Sequence, residues 1–432
     1  MYTRMHALVL IACMVVGLSG SGCTAYRPDP PDLRKNEAEW RKLSSDILPR
    51  GRVLTWEALR SIGLYLNPDL NKARLKYLNS KHASVYAGLW NDPSVSADVG
   101  RYLKGVQYDR GISTGLSIPL SGTPGLARKV AQHYAETDYC DLRAQESDYM
   151  MRLHSLYFLI RILHTKHALI TKRLAQAEEE HENIERLYLM GEVNAQDMHA
   201  ATQRRNDVIK ESQELESLHL DKHLELLSML GLHPDVGHPE IAGELPQGVP
   251  EAVRIPDKDE LLAHPRLLAA MSAFHTSEAE LRLEIRKQYP DLEISPGFSH
   301  EEGDDKLTLG LGFTLPLWNR NREAIARASG NRAMSRLNAV EQWHELLRQT
   351  HALALRQELA RKHCRTEFER LSALRSAMAQ QEHLFSMGET TLPNLAETRH
   401  ETFTRMLAYL DCLAELLEIQ VALQYLALPN PS

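Results

Sequence analysis

The chain has 432 residues, with 57 acidic against 50 basic side chains and a formal net charge of −7. That mild acidity leaves no basic footprint for nucleic acid. Cys140, Cys364 and Cys412 lie far apart in helical sequence and form no CxxC pair, which excludes a disulfide framework and a zinc knot and reads as small apolar packing residues.

At the N-terminus Arg4 precedes an apolar run, Ala7–Leu18, then the small residues Ser19–Gly22 and then Cys23. A charged start, a short apolar core and small residues at the cut predict a secretory signal over 1–22. The run is too short to span a bilayer. Residues Tyr26–Arg52 are Pro-rich and then charged, without period, so 23–54 reads as a tether.

Structure is expected to start at Thr55-Trp56-Glu57, a helix start, and to run through Leu66. Asn67-Pro68-Asp69-Leu70 breaks the helix and starts another, to about Trp90. Asp92–Val99 predicts a strand, and Gly100–Arg110 a loop. Ile112, Thr114, Leu116, Ile118 and Leu120 then alternate with Ser113, Gly115, Ser117 and Pro119, the period of a second strand. Leu126–Tyr188 holds no Pro or Gly, which gives a helix on the order of 95 Å. Its apolar seam runs Leu156, Ile160, Leu163, His167, Ile170, Leu174, Ala177, His181, Ile184 and Tyr188, in steps of four and three. Gly191 stops it, and a second helix reaches about Leu230. The Pro- and Gly-rich segment 233–255 reads as a linker.

Beyond it the same order returns. Pro68 and Pro265, Pro93 and Pro290, Pro119 and Pro316, and Met190-Gly191-Glu192 and Met387-Gly388-Glu389 are each separated by 197 residues. Residues 55–232 (strands about 93–120, tip near 191) and 256–428 (strands about 290–317, tip near 388) therefore read as tandem repeats of helix, strand, strand, long helix and helix. In the second, Leu307, Leu309, Leu311, Phe313 and Leu315 point one way, and Thr308, Gly310, Gly312 and Thr314 the other. His300–Lys306 reads as the hairpin loop. The long helix shows a seam at Leu371, Leu374, Met378, Gln381 and Phe385. The fold class is mainly α with a small β part. One strand face (Leu292, Ile294, Phe298 and the residues just named) is apolar and the other small and polar, the pattern of a lipid-facing barrel with a wet interior. Four strands do not close a barrel, and lipid allows no open sheet edge, so the strands must be shared among three or more chains.

This layout resembles the TolC-like outer-membrane efflux channels over about residues 55–428. The resemblance is carried by Asn67-Pro68-Asp69-Leu70, Tyr289-Pro290-Asp291-Leu292, Leu116-Ser117-Ile118-Pro119-Leu120, Phe313-Thr314-Leu315-Pro316-Leu317 and the two Met-Gly-Glu turns. Leu317-Trp318-Asn319-Arg320-Asn321-Arg322 followed by Ala324-Ile325-Ala326 resembles the heavy-metal, CzcC-like branch. It implies a homotrimer with a 12-stranded transmembrane β-barrel in the outer membrane of a Gram-negative bacterium, set on a periplasmic helical coiled-coil barrel. It also implies an inner-membrane resistance-nodulation-division pump and a periplasmic adaptor as partners, with the tips Met190, Gly191, Glu192, Met387, Gly388 and Glu389 meeting the adaptor. The family's gate acids, six and nine positions after the second tip Gly, fall here on Asn394 and Glu397. Asp197 is the corresponding acid after the first tip. Each is equally readable as a solvated acid or amide at a helix start. Cys23 after small residues resembles a lipobox, with Gly20 where Leu is usual, and implies a lipid-anchored (palmitate-bearing) lipoprotein. Thr24 resembles outer-membrane sorting.

The sequence holds no Walker loop, no GxGxxG after a strand, no HExxH and no GxSxG, so no enzyme and no cofactor is expected. Among 20 histidines, His219 and His223 lie one helical turn apart, His164 and His167 are three apart, and His363 adjoins Cys364. These read as a polar face or coiled-coil layers rather than metal ligands, with His167 and His181 partly buried on the seam. The expected function is a passive exit duct for divalent heavy-metal cations. Two alternatives stand beside it: a duct for drugs or organic toxicants, and a periplasmic coiled-coil scaffold lipoprotein without a channel.

Overall fold

The computed structural model describes residues 26–49, 53–101, 108–237, 239–301 and 304–427. The signal segment 1–22, Cys23 and Thr24 lie outside them. Residues up to Pro49 form one unit and those from Arg50 a second.

In the first unit α1 spans Leu33–Ile47, where the sequence reads as an aperiodic tether. Asp32 caps it by accepting from the Lys35 amide at 3.1 Å, and the pairs Lys35–Glu39 and Arg41–Glu37 sit four residues apart along it. Cap and i,i+4 charges support a short helix here.

In the second unit the elements run β1 (Val53–Leu54), α2 (Trp56–Leu66), α3 (Pro68–Tyr86), β2 (Ser94–Arg101), β3 (Tyr108–Ile118), α4 (Thr123–Leu189) and α5 (Ala195–Leu230). After the connecting segment come β4 (Glu240–Ile241), α6 (Lys258–Leu262), α7 (Pro265–Arg286), β5 (Leu292–Glu301), β6 (Asp304–Phe313), α8 (Arg322–Ser386) and α9 (Leu392–Ala427). Pro68 and Pro265 each occupy the first position of a helix, where the missing amide is no loss. The side chains of Asn67 and His264 cap α3 and α7 respectively. Helix α3 ends at Tyr86, short of Trp90, because Gly88 takes a left-handed conformation (φ +70°).

The segment between α5 and α6 is held against the helices. β4 runs parallel to β1, pairing Val53 with Glu240 and Leu54 with Ile241. Tyr157 donates to the Ala242 carbonyl at 3.0 Å. Gln357 accepts from the Val253 amide at 2.8 Å and donates to its carbonyl at 3.1 Å.

Helix α4, 67 residues long, packs against α3, α5, α7 and α9, and α8 packs against α7 and α9. One core joins Ile162 to Cys364 and Leu371 of α8 and Leu410, Leu413, Leu416 and Leu417 of α9. A second joins Leu163, Ile170 and Ala177 to Val208 and Leu215 of α5 and Phe403 of α9. Cys364 and Cys412 are free, buried thiols within the first core. Their mutual hydrogen bond, with burial, pushes the Cys364 thiol well above its ordinary range.

The seam of α4 keeps to the heptad at Leu156, Ile160, Leu163, Ile170, Ala177 and Ile184, all buried. It departs at His167 and Tyr188, which are exposed, and Leu174 and His181 are only half-buried. Arg173 and Glu180 are buried beside them instead. A straight helix turns every 3.6 residues and drifts off a 3.5 repeat, and α4 must also meet α9. In α8, Leu371 is buried and Leu374, Met378 and Gln381 lie along the same seam, but Phe385 at the end is exposed.

Candidate functional site

The strands form one antiparallel sheet in the order β2-β3-β5-β6. Its register aligns the alternation seen in each strand. Ile112 faces Phe298 and Phe298 faces Leu307; Leu116 faces Ile294 and Ile294 faces Leu311; Ile118 faces Leu292 and Leu292 faces Phe313. Val95, Ala97 and Val99 pair with Thr114, Ile112 and Arg110, so they extend the same face. The opposite face carries Ser96, Ser113, Gly115, Ser117, Ser295, Gly297, Thr308, Gly310 and Gly312. The Ser96 and Ser113 hydroxyls bond at 2.8 Å.

Large apolar side chains stand out from this sheet into open space, with Leu307 84% and Leu309 and Leu311 each 67% exposed. Among the described residues β2 and β6 pair on one side only. The sheet is therefore an unclosed wall, apolar on one face and polar on the other. Both hairpins run further than the sequence suggests. Glu301 pairs with Asp304 and Arg101 with Tyr108, so the ladders extend into both His300–Lys306 and Gly100–Arg110. In β5 and β6 side chains also meet at that end, through the Lys306–Glu301 ion pair at 3.3 Å and a His300–Asp305 hydrogen bond at 2.8 Å. Polar character signals a loop in a water-soluble protein, but a ladder continues wherever its backbone groups stay paired. Among the described residues no helix is long and apolar enough to cross a membrane.

At the far end of the long helices Gly191 and Gly388 close matching turns. Gly191 (φ +79°) donates to the Tyr188 carbonyl at 3.0 Å and Glu192 to Leu187 at 2.9 Å. Gly388 (φ +76°) donates to Phe385 at 3.0 Å and Glu389 to Leu384 at 2.9 Å. Both are Schellman stops. Met190 and Met387 are exposed in them, as are Glu192 and Gly388. Behind the turns Ile184, Ala201 and Ala396 form a small core with Val193, Met198 and Leu392, so the two tips pack together.

Asp197 stands in a capping box: the Asn194 side chain accepts from the Asp197 amide at 2.9 Å, and the Asp197 carboxylate accepts from the Asn194 amide at 3.4 Å. Asn394 and Glu397 lie in the first turns of α9, with Glu397 exposed. Both Asp197 and Glu397 bear on Arg204, whose guanidinium burial pulls down while Glu180, Glu397 and Asp197 hold it up. Sequence reasoning missed the group behind them. Arg173, buried, donates to Glu180 at 2.9 Å. Arg399 of α9 donates to the other Glu180 oxygen at 3.2 Å and to Glu382 of α8 at 3.1 Å. One buried acid thus joins α4 to α9, and through Arg399 to α8, just above both tips. The signal available was the pair Arg173 and Glu180, seven residues apart, one step off the apolar seam.

The histidine pairs also meet across helices. His164 of α4 lies beside His219 and His223 of α5, with one ring nitrogen of each within 4.8 Å of the others. His167 stacks on His219 at 6.1 Å between ring centroids.

No family model and no curated protein matches the sequence. Solved structures match its fold. The Campylobacter jejuni CmeC outer membrane channel superposes with a TM-score of 0.74 at 12% identity, covering 94% of this chain and 94% of that one. CusC, described for its folding and transmembrane channel formation, gives 0.72 at 16% identity, covering 88% and 95%. The open-state MtrE outer membrane channel of Neisseria gonorrhoeae gives 0.69 at 14%, covering 86% and 88%. Identities this low establish fold, and over most of its length this chain has the fold of the TolC-like outer-membrane channels.

Proposed function

We propose that the chain is the outer-membrane exit duct of a tripartite efflux system. The observation that carries this is the four-stranded wall, with one apolar face in open space and, among the described residues, two unpaired edges. In water such a wall aggregates; in lipid it must close. Three copies supply twelve strands, the apolar faces meet lipid, and the Ser-, Thr- and Gly-rich faces line a wet lumen. No residue performs transport chemistry in this reading, so an inner-membrane pump supplies the energy and an adaptor docks at the Met190–Glu192 and Met387–Glu389 turns. Cys23 carries the lipid that anchors the N-terminus at the outer membrane.

The cargo in this reading is divalent heavy-metal cations. Its support is the Leu317–Arg322 stretch with the adjoining Ala324-Ile325-Ala326, and Glu397, which offers a ring of carboxylates at a constriction when three chains meet. The channel reading is tested by extracting the untreated protein from membranes. Heat-resistant trimers in the outer-membrane fraction are expected, and a monomer in the soluble periplasmic fraction would return the scaffold reading. The cargo is tested separately: a deletion strain is expected to lose tolerance to zinc, cobalt, cadmium or copper, and unchanged tolerance to all four would move the assignment to organic toxicants. In single-channel recordings Glu397→Gln is expected to lower cation selectivity, and unchanged selectivity would remove the gate role.

A further inference from the structure

We propose that His164, His219 and His223 form a binding site for a borderline divalent cation of the zinc, cobalt, nickel or copper type, clasping α4 to α5. His219 and His223 are one turn apart on α5, so both rings leave the same face of that helix, and their Nε2 atoms stand 3.1 Å apart. Two imidazole nitrogens on one tetrahedral zinc, at bond lengths of about 2.0–2.1 Å, are separated by roughly 3.3 Å. The observed spacing is within a few tenths of an ångström of that. His164 comes from the neighbouring helix, its ring centroid 5.3 Å from that of His219 and 6.2 Å from that of His223. All three ligand atoms lie within 4.8 Å of one another, so a side-chain adjustment of about 1.5 Å brings the third nitrogen to bonding position.

The surroundings suit such an ion. His223 is fully buried and His164 and His219 half-buried, which limits competition from bulk water. Three neutral imidazoles are the donor set that zinc and its borderline neighbours favour and that magnesium and calcium do not. Burial and the nearby Arg161 hold the His164 pKa below its ordinary value. Arg161 opposes a cation here, but its guanidinium is directed to the Ile241 and Gly243 carbonyls, and Glu240 of β4 supplies a facing negative charge. His167 and water are the candidates for the fourth position. The site lies 27 residues before Gly191 along α4, about 40 Å from the tip at 1.5 Å per residue. It therefore fixes one long helix against the next within the shaft, away from the turns and the sheet. It holds whether or not metal is the exported cargo.

The test uses the untagged full chain, extracted in detergent and stripped with a chelator, titrated with Co²⁺ and then Zn²⁺. One Co²⁺ per chain is expected to give the intense visible bands of four-coordinate cobalt, and Zn²⁺ to displace them. His164→Gln and His219→Gln, both at half-exposed positions, are each expected to weaken binding by roughly tenfold or more. The exposed His351→Gln is expected to leave it unchanged. Helical circular dichroism reports that each variant is folded, and His223, fully buried, is left intact for that reason. Absence of the bands at one equivalent, or bands that persist with unchanged affinity in both His164→Gln and His219→Gln, would overturn the site.

Discussion

The two tips use the same stop and different starts. Gly191 and Gly388 end α4 and α8 with the same left-handed residue and the same pair of 2.9–3.0 Å hydrogen bonds. The helices that leave the turns then diverge. α5 begins on the reciprocal Asn194–Asp197 capping box. α9 begins at Leu392-Pro393, with Leu395 donating to the Thr391 carbonyl at 3.2 Å. The acid after the first tip is thus engaged at its own helix start, whereas Glu397, further into α9, stands exposed. Two positions that look equivalent by spacing thus differ in their local engagement, and the proposed gate role falls first to Glu397.

The largest expected effect tests what the two tips share. Glu180→Gln leaves the buried Arg173 without its counter-charge and releases Arg399. Removing one partner of a buried pair costs about 3–5 kcal/mol, so a clear fall in the melting temperature of the protein is expected. A change no larger than that of a surface pair, about 1 kcal/mol or less, would show that the tips do not depend on this acid. Next come Gly191→Ala and Gly388→Ala. A Cβ at either would meet nothing within 4 Å, so the cost is that of a left-handed backbone, about 1–2 kcal/mol. Equal losses by denaturant unfolding support matched stops, and unequal losses break the likeness.

Asn194→Ala probes the difference. Loss of that cap costs about 1 kcal/mol, with fraying visible by hydrogen exchange at the start of α5 and none expected at the start of α9. The smallest expected effect is in pH. His400 of α9 sits half-buried, and burial, with Arg173 and Arg204 nearby, lowers its pKa, while Asp207 and Glu180 oppose the shift. The folded state then resists a proton that the unfolded chain accepts below its ordinary value near 6.5. Stability contributed by neutral His400 is present above that value and declines as pH falls through the range below it. A His400→Asn variant is expected to show a flatter melting temperature between about pH 7 and 5; an unchanged slope would place the acid sensitivity elsewhere.

Much of the sheet could be read in advance because its information is local. Leu307 to Phe313 alternates with Thr308 to Gly312 in one strand, and the ladder to Ile294 and Leu116 preserves the face already written there. The sequence reading places the strand ends too early, since His300, Glu301, Asp304 and Asp305 look like loop residues and are paired in the ladder. The 233–255 segment reads as a connector because Pro and Gly break periodicity, and periodicity is blind to a chain held by the short β1–β4 pairing and by hydrogen bonds to Tyr157 and Gln357. The candidate gate residues were placed by spacing from a turn, which sets position along a helix and leaves the direction of the side chain open.

The sequence by itself determined the order of elements, the two faces of the strands and the left-handed stops at Gly191 and Gly388. Each is fixed by a period or a backbone conformation within a few residues. Only the tertiary structure decided that Glu180 would bind arginines from two helices, and that His164 would join His219 and His223, the nearer of them 55 residues on. Those meetings depend on the rotation and axial register of one long helix against another. A small drift per heptad decides whether a side chain one step off the seam faces solvent or the neighbouring helix.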